Sequence, residues 1–472
     1  MDATTEKLVA YALAAETDLR PAVRIAALQR VVDSVACAIA GYDTAPARVA
    51  RRLARRVRAD LPATVFGDGT PTAPELAAFA NTVMVRALDW NDGMLARGGG
   101  HPSDMIPAVL AAGEVAHASG REVLAAIVLA YEVLGSLGSA TGLRERGWDQ
   151  GTFIAVASAL AIGRLSGLGA DDLANAVSLA IVPNVPLRVT RVGHLSMWKG
   201  CASAAAVRNA LFAVSLASEG MTGPAEPFEG RSGLWDQVTG PFEFQLPVNP
   251  GGPSVVELSH LKPYPAESHS QALISLAPAI RAAVDPTDIR AIEVETYWHA
   301  FNEIGSDPAK WDPDTRETAD HSLPYLLAVA LLDGTVTPAS FTPERLADPA
   351  LRDLMAKIEV RENPEFTAQY RPTGREIAGS PRTRITVRGG TGAPFVAEVG
   401  FPKGHYRNPM SPGETDAKLE AACAPLVAPA RREEIRAAFW SLDSLHDVGD
   451  AIRTLSSLAP PTTGDAVGVG DD

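Results

Sequence analysis

The chain has 472 residues, of which 46% are hydrophobic and 21% are charged. This length and composition predict a folded protein of more than one domain and exclude a largely disordered chain. The net charge of −14, without a basic run, argues against a nucleic-acid partner and means that local basic residues must form any anion site.

The first half of the chain consists mainly of predicted helices, rich in Ala, Leu and Val at helical spacing and separated by Gly and Pro. Within 121–137, Leu124 and Ile127 lie on one stripe, but Val123 and Leu129 fill other faces. A helix that is apolar nearly all round is a central one, so this half predicts a thick helical core. The predicted helices cover residues 22–40, 104–118, 121–137, 153–166, 171–182 and 199–219.

Alternation of apolar and polar residues replaces the helical pattern after about residue 259. It occurs at 292–296, 357–361 and 384–388, and it predicts half-buried strands. Glycines within 389–392 then turn the chain into a further run, 395–401, with apolar residues on one face. The last two runs therefore predict a hairpin.

The expected architecture is mostly α, with an inserted α+β domain. Predicted helices near 321–333 and 344–356 lie among the strands, and a helical pattern returns from about residue 412. The simplest arrangement is a helical domain built from both chain ends, with the α+β segment inserted as a lid. We predict a helical domain of residues 1–258 and 404–460, a lid of residues 259–403, and a disordered tail of residues 461–472.

The apolar stretches, the N-terminal sequence and the cysteines together predict a cytoplasmic protein. The sequence predicts no membrane association, because no uninterrupted apolar stretch approaches about 20 residues and the acidic start differs from a signal peptide. Cys37, Cys201 and Cys423 are far apart, without a CxxC or Cys/His cluster. They predict packed thiols rather than disulfides or a metal site.

A dense polar cluster interrupts the helical core in RALDWNDGMLARGGGHPSD, residues 86–104. Its glycines, 98–100, permit a close approach to a ligand, and His101 precedes a helix that Ser103 is expected to cap, where N–H groups attract anions. Asp89 and Asp92 are candidates to hold the tautomer of His101 or to act as acid and base. The alternative is that these polar residues only cap and solvate a loop.

This segment resembles the MmgE/PrpD signature, which runs Leu-Asp-Phe-Asn-Asp-Thr and ends in Gly-His-Pro-Ser-Asp. The spacing from Asp89 to His101 matches the 2-methylcitrate dehydratase branch. Five further blocks follow in the family's order, so the resemblance covers most of the chain. They are GWDQGTFIAVASALAIGRLSGL at 147–168, LRVTR at 187–191, AVRNAL at 206–211, YPAESHSQ at 264–271 and ADHSLPYLLAVALLDG at 319–334.

The resemblance implies a helical domain made from both termini, an inserted lid, a homodimer, and chemistry without metal or organic cofactor. Family members dehydrate 2-methylcitrate, decarboxylate cis-aconitate or act on related carboxylates, and the implied partner is a small polycarboxylate. Each reaction moves a proton next to a carboxylate, where fixed cations stabilise the developing charge.

Resemblance to the decarboxylase branch also implies roles for individual residues. It makes His101 the base or acid, Asp89 its partner, Lys262 a carboxylate clamp and Tyr325 a hydrogen-bond donor. Further candidates for substrate binding are Asp92, Arg188, Arg191, Lys199, His269 and His405. The alternatives are a solvated face for the two arginines, a buried structural role for His269 and a hinge around His405.

Some positions depart from the family pattern. Gly93 replaces the signature threonine, which removes a contact to a substrate hydroxyl. Asp149 and Glu267 stand where decarboxylases carry histidine, which favours the dehydratase branch. Leu195 stands where the family has a lysine, and Lys199, one helical turn later, is expected to supply that charge. The alternative is a pocket for a substrate less charged than 2-methylcitrate.

We therefore expect a hydro-lyase that dehydrates 2-methylcitrate or a close tri- or dicarboxylate. An isomerase, epimerase or decarboxylase of a related dicarboxylate is the first alternative, because it needs the same proton abstraction. A non-catalytic dimeric relative is the second, since a fold alone does not establish an activity.

Overall fold

The structure, a computed structural model, describes residues 1–370, 379–390 and 392–458. The predicted tail, 461–472, lies outside these residues. The helices are α1 (Ala3–Ala14), α2 (Pro21–Gly41), α3 (Ala45–Ala54), α4 (Pro74–Arg86), α5 (Ile106–Val115), α6 (Gly120–Ala140), α7 (Gly151–Leu165), α8 (Ala170–Ile181), α9 (Ala202–Ser218), α10 (Val255–Leu258), α11 (Gln271–Ala283), α12 (Trp298–Ala300), α13 (Arg316–Ala319), α14 (Leu323–Asp333), α15 (Pro343–Leu346), α16 (Pro349–Met355), α17 (Pro364–Tyr370), α18 (Pro412–Cys423), α19 (Pro429–Trp440) and α20 (Gly449–Arg453). The strands are β1 (Ala63–Thr64), β2 (Pro71–Thr72), β3 (Ala291–Thr296), β4 (Ile358–Glu362), β5 (Thr383–Arg388) and β6 (Phe395–Val399).

The larger hydrophobic core is helical and draws on both ends of the chain. It runs from Leu8 through α2, α4, α6, α7 and α9 to Val256, and it takes in Leu419 and Phe439 from the C-terminal helices. The C-terminal helices belong here because α18 packs against α2. Both chain ends thus contribute to one helical core.

Helix α6 is the centre of this core, as its sequence predicted. A capping box of Ser119 and Glu122 begins it. By length and composition α6 could cross a membrane, which corrects the expectation that no stretch of this kind exists in the sequence. However, 83% of its most apolar window is buried against other helices, and a core helix passes the same test of length and composition.

The smaller core is an α+β layer formed by a four-stranded sheet and helices α11, α14 and α16. The strand order is β4-β3-β5-β6, with β3 and β4 parallel and the other pairs antiparallel. Ile292, Val294, Ile385 and Val387 face the helices, because alternate residues of a strand share a face. The predicted strands and hairpin are confirmed, and so is the mostly α fold class.

The helix predicted near 344–356 is two helices, α15 and α16. Asp348 caps α16, with its side chain accepting from the N–H of Ala350, and Pro349 occupies the first turn. Proline lacks an N–H and favours the first turn of a helix, so it begins a new helix here rather than continuing the previous one.

The site lies where segments from the two cores meet. The chain leaves the helical core after α10, and Gly93 and His260 form an antiparallel bridge, with their backbone N–H groups donating over 2.9 and 2.8 Å. The indole N–H of Trp90 donates to the carbonyl of Pro263 over 3.0 Å. The signature segment and the entry to the lid are thus held side by side.

Candidate active site

Asp89 stands at the centre of the site in an unusual backbone conformation. It follows α4 by three residues and has φ of 51°, in the left-handed region that aspartate tolerates better than most residues. Its carboxylate Oδ1 lies 2.8 Å from an Arg86 guanidinium nitrogen and 2.5 Å from Lys262 Nζ. Lys262 also donates to the Asp89 carbonyl over 2.9 Å. All three side chains are buried, so a strained turn presents one carboxylate to two cations.

The other carboxylate oxygen of Asp89 faces residues from two more segments. Lys199 Nζ lies 3.1 Å away, and His321 Nε2 lies 3.4 Å away. Lys199 is buried in a 3-10 turn before α9 and also contacts both oxygens of Asp320, at 2.8 and 3.0 Å. Although burial opposes ionisation of Asp89, Arg86, Lys199 and Lys262 hold its pKa well below the ordinary 3.8. Asp89 is therefore an anion bound by cations, and Lys199 supplies charge to the site as the sequence predicted.

His321 is oriented by the residue before it in the chain. Its Nδ1 lies 2.6 Å from Asp320 Oδ1 and 3.3 Å from Lys199 Nζ. Because a carboxylate only accepts and the contact with Asp320 is much the shorter, we assign the ring proton to Nδ1. Burial and the nearby Lys199 ammonium lower the pKa of His321. The imidazole is therefore neutral, with the lone pair on Nε2. At 13% exposure its side chain is more open than those of Asp89, Lys199 and Asp320.

A cation already sits among the carboxylates that could bind a metal ion. The ligand atoms of Asp89, Asp320 and His321 lie within 4.8 Å of one another. Lys199 Nζ contacts all three residues, at 3.1, 2.8 and 3.3 Å respectively. The ammonium thus occupies the position that a metal ion would take.

His101 does not pair with Asp89, which corrects the predicted partnership. Arg86 stands between them and contacts His101 Nε2 over 3.0 Å, while Nδ1 lies 2.7 Å from the backbone carbonyl of Asp92. Arg86 can only donate, so Nε2 accepts and Nδ1 carries the proton. Burial and Arg86 hold the pKa of His101 well below 6.5. In this conformation the ring is neutral, with both nitrogens engaged.

Asp92 supports the loop instead of facing a ligand. Its carboxylate accepts from the Tyr131 hydroxyl over 2.8 Å and from the Ser103 N–H over 2.9 Å. Ser103 itself lies inside the 3-10 turn Pro102–Met105 and does not cap it, contrary to the prediction. Its hydroxyl instead accepts from Asn91. These bonds fix the signature loop, so the predicted role of Asp92 in substrate binding has no geometric support.

A small cleft opens beside this cluster. Burial raises the pKa of Glu267, on its wall, from 4.5 to about 7, although His321 and Lys262 oppose the shift. Glu267 is thus a carboxylic acid that can hold a proton near neutral pH. The lining residues are Met94, Leu95, Ala96, Gly100, His101, Arg144, Glu267, Ser268, His269 and Tyr370.

His269 lines the cleft, and one of its two ring nitrogens already contacts another side chain of the protein. Nδ1 contacts the Tyr297 hydroxyl, and its backbone N–H donates to Glu267 over 2.5 Å. Burial lowers the pKa of His269 to about 4, so the ring is neutral.

The two predicted carboxylate-binding arginines contact carboxylates of the protein itself. Arg191 pairs with Asp149 at 2.6 Å, and Arg188 pairs with Glu303 of the lid at 3.3 Å. Arg144, which lines the cleft, reaches the other oxygen of Glu303 at 3.1 Å. Although burial opposes its ionisation, Arg144 and Arg188 lower the pKa of Glu303. Glu303 thus ties the lid to two arginines of the helical domain.

Tyr325 and His405 are not brought to the Asp89 cluster. Tyr325 lies within the lid core on α14, where its hydroxyl donates to the Ser340 carbonyl over 2.6 Å. His405 packs between Phe401 and Tyr406 at the return from the lid, and burial, together with Arg407, lowers its pKa to about 4. The structure thus brings together Asp89, Lys262 and Lys199, places His101 behind Arg86, and leaves Tyr325 in a hydrophobic core.

The residues that sequence reasoning missed lie mainly in one block. Asp320 and His321 occur in ADHSLPYLLAVALLDG, from which only Tyr325 was selected. Adjacent acidic and imidazole groups immediately before an apolar helix were the available signal. Arg144 and Glu303 offered none, since their pairing joins positions far apart in sequence.

Comparisons with known proteins agree with this architecture. The MmgE/PrpD N-terminal domain matches residues 6–247, and the MmgE/PrpD C-terminal domain matches residues 264–444. The chain belongs to the MmgE/PrpD family. The predicted family resemblance is thereby confirmed. The N-terminal match covers most of the helical core, and the C-terminal match covers most of the lid together with α18 and α19.

Several MmgE/PrpD relatives cover most of the chain. A 2-methylcitrate dehydratase of Cupriavidus necator is 33% identical over 370 residues, 73% of this chain and 74% of the relative. The 2-methylcitrate dehydratase of Escherichia coli (strain K12) is 32% identical over 71% and 72%. A 2-methylcitrate dehydratase-like protein of Aspergillus oryzae is 29% identical over 86% of both chains. This MmgE/PrpD protein is accordingly an enzyme of the hydro-lyase class.

Proposed function

We propose that this enzyme dehydrates 2-methylcitrate, or a close tri- or dicarboxylate, to the unsaturated acid. The observation that carries the proposal is the convergence of Arg86, Lys199 and Lys262 beside a neutral imidazole and a protonatable carboxyl. A cluster of buried cations suits an anionic substrate. The names of the relatives supply the choice of 2-methylcitrate.

His321 is the base in this proposal. Asp320 holds the proton on Nδ1, so the lone pair of Nε2 is available for the proton next to a substrate carboxylate. Abstraction places negative charge on that carboxylate, and Lys199 and Lys262 are the cations that stabilise it. Their contacts with Asp89 keep both ammonium groups in place before reaction.

Glu267 is the acid that completes the elimination. With its pKa raised to about 7 by burial, it is substantially protonated at neutral pH. The electron pair left on the deprotonated carbon forms the double bond, the C–O bond breaks, and the departing hydroxide takes the Glu267 proton as water. Acid and base thus differ in environment, a difference that permits both roles at one pH.

Arg144 and Arg188 bind a further substrate carboxylate in this proposal. Both contact Glu303, which a substrate anion displaces as the lid adjusts. Arginine suits such a site because its planar fork binds carboxylates with two parallel hydrogen bonds. His101 keeps Arg86 directed at Asp89 and is a positioning residue.

The test is incubation of chelator-treated protein with 2-methylcitrate, citrate, cis-aconitate and aconitate isomers in deuterated water. Ultraviolet absorbance detects the new double bond, and NMR detects deuterium incorporation. Absorbance growth with 2-methylcitrate that His321→Gln abolishes, and Tyr325→Phe retains, is the expected result. Deuterium exchange without elimination would instead support an epimerase or isomerase. No reaction with any of these acids would reject the proposed substrate.

We also propose a homodimer. An exposed apolar surface lies on neighbouring 3-10 turns before α9, where Val189 is 73% exposed and Trp198 is 50% exposed. Such a surface on a protein of this size fits association better than solvent. Light scattering during size-exclusion chromatography tests it, and a monomer at micromolar concentration would reject it.

A further inference from the structure

Lys418, on the C-terminal helix α18, is buried beneath the site and makes three contacts. Its Nζ lies 2.6 Å from Asp33 Oδ1, 2.7 Å from the Trp90 carbonyl and 3.1 Å from the Lys262 carbonyl. An ammonium has three N–H donors, so each is directed at a different segment of the chain. Side-chain exposure is 3%, which leaves little access for water to replace these bonds.

Two of these acceptors belong to the segments that carry the reactive charges. Trp90 follows Asp89 directly, and Lys262 is the residue whose ammonium lies 2.5 Å from the Asp89 carboxylate. The same two segments are joined by the Trp90–Pro263 hydrogen bond and the Gly93–His260 bridge. Lys418 is the charged group among these contacts between the two segments. Through its pairing with Asp33 it also connects both segments to helix α2.

The acceptors depend on Lys418 for their hydrogen bonds. A buried carbonyl or carboxylate that loses its donor keeps the cost of leaving water, so the segments shift to recover partners. Burial raises the pKa of Asp33, and the Lys418 ammonium opposes that change. A neutral residue at position 418 would therefore disturb Asp33, Trp90 and Lys262 together.

We propose that Lys418 is a positioning residue that aligns Asp89 with Lys262, although it does not contact the cleft. The kinetic expectation rests on the function proposed above. The alignment itself does not, because it concerns the relative position of two side chains of the protein. The geometry of the site thus depends on a residue of α18, a helix near the C-terminus.

The first test compares Lys418→Met with a control variant, Arg51→Met. Arg51 is also buried and pairs with Asp68 at 3.4 Å and with the Tyr42 carbonyl at 3.0 Å, in helix α3. Since a displacement of about 1 Å can cost about 10²-fold in rate, we expect kcat of Lys418→Met to fall about 10- to 100-fold, with KM within about threefold. Arg51→Met should lose stability but keep kcat. Equal kcat losses in the two variants would overturn the proposal.

A second variant covers the case in which Lys418→Met does not fold. Lys418→Gln keeps two N–H donors but loses the charge and the reach to all three acceptors. Its kcat should fall between those of the wild type and Lys418→Met, and a wild-type kcat would count against the proposal. Asp33→Asn, which leaves both carbonyl contacts of Lys418 in place, should reduce kcat less than either.

The second readout is independent of substrate. Acetic anhydride labelling followed by mass spectrometry measures the reactivity of each lysine, with the half-exposed Lys403 as internal reference. Lys262 should be strongly protected in the wild type and in Arg51→Met, and at least about tenfold more reactive in Lys418→Met, because its pairing with Asp89 is lost. Unchanged protection of Lys262 would reject the alignment even if the proposed substrate is correct. Inactive wild-type protein with exposed Lys262 in Lys418→Met would reject only the substrate.

Discussion

Replacing Glu267 by glutamine should change how the stability of the protein depends on pH. Burial raises the pKa of this carboxyl from 4.5 to about 7, so the folded protein retains a proton that the unfolded chain has already released. A raised folded-state pKa gives stability that is complete below the unfolded value and is lost as pH rises through the folded value. The affected window therefore runs from 4.5 to about 7.

The size of the effect follows from the same two values. At about 1.4 kcal/mol for each pKa unit, ionising Glu267 costs the folded state about 3 kcal/mol by about pH 8. Glutamine keeps the shape and the acceptor for the His269 N–H but does not titrate. Relative to wild type, Glu267→Gln should thus gain about 3 kcal/mol between about pH 4 and about pH 8.

Urea unfolding at these two pH values measures the difference. Glu303→Gln is the control of opposite sign, because Arg144 and Arg188 lower the pKa of Glu303 and its contribution is lost as pH falls. Glu303→Gln should therefore be less stable than wild type near neutral pH, and the difference in stability should shrink as the pH falls. A stability difference between Glu267→Gln and wild type that does not vary with pH would refute the reasoning, since the pKa of Glu267 would then be the same in the folded and unfolded states.

Three further experiments test the site. His321→Gln should lower kcat about 10²- to 10⁴-fold with KM nearly unchanged. Tyr325→Phe should keep kcat and lower the free energy of unfolding by about 1 kcal/mol. Steady-state kinetics in which Tyr325→Phe loses more kcat than His321→Gln would contradict the choice of base. Asp89→Asn keeps the left-handed backbone but removes the carboxylate that pairs with Lys262 and Arg86. Urea unfolding should therefore show a loss of about 3–5 kcal/mol, and an unchanged midpoint would argue against the ion cluster. Gly93→Ala would place a Cβ 2.7 Å from the His260 ring. We therefore expect Gly93→Ala to lose activity and the double variant with His260→Ala to regain it. If the double variant stays inactive, the steric clash with His260 is not the cause of the loss.

Much of the fold was predictable because long apolar patterns determine the long elements. The all-round apolar character of 121–137 predicted the central helix α6, and alternation at 292–296 predicted β3. The order β4-β3-β5-β6 was not predictable, since strand pairing depends on contacts between segments that lie far apart in sequence. The break between α15 and α16 was missed because the apolar spacing continues across Pro349.

The structure brings some of the predicted site residues together, but with partners that the sequence did not predict. Asp89, Lys199 and Lys262 were expected at the site, and the structure brings their side chains together. The side chain of Asp89 turns toward Lys262 because of its left-handed φ, which no pattern of residue types reveals. The arginines at 188 and 191 were expected to bind substrate, yet their carboxylate partners are Glu303 and Asp149, and only three-dimensional proximity identifies such pairs.

Under the proposed function, the contact of Glu303 with both Arg144 and Arg188 sets a condition on which anions the enzyme accepts. Any ligand that takes these arginines has to replace an internal carboxylate that already binds both. A monocarboxylate brings no more charge than Glu303, so it gains nothing by the exchange. A tricarboxylate that binds these arginines with one carboxylate has two more for Lys199 and Lys262. Each additional carboxylate increases the favourable free energy of binding. We therefore expect selectivity by the number of negative charges, imposed without any pocket shaped to exclude the smaller acids.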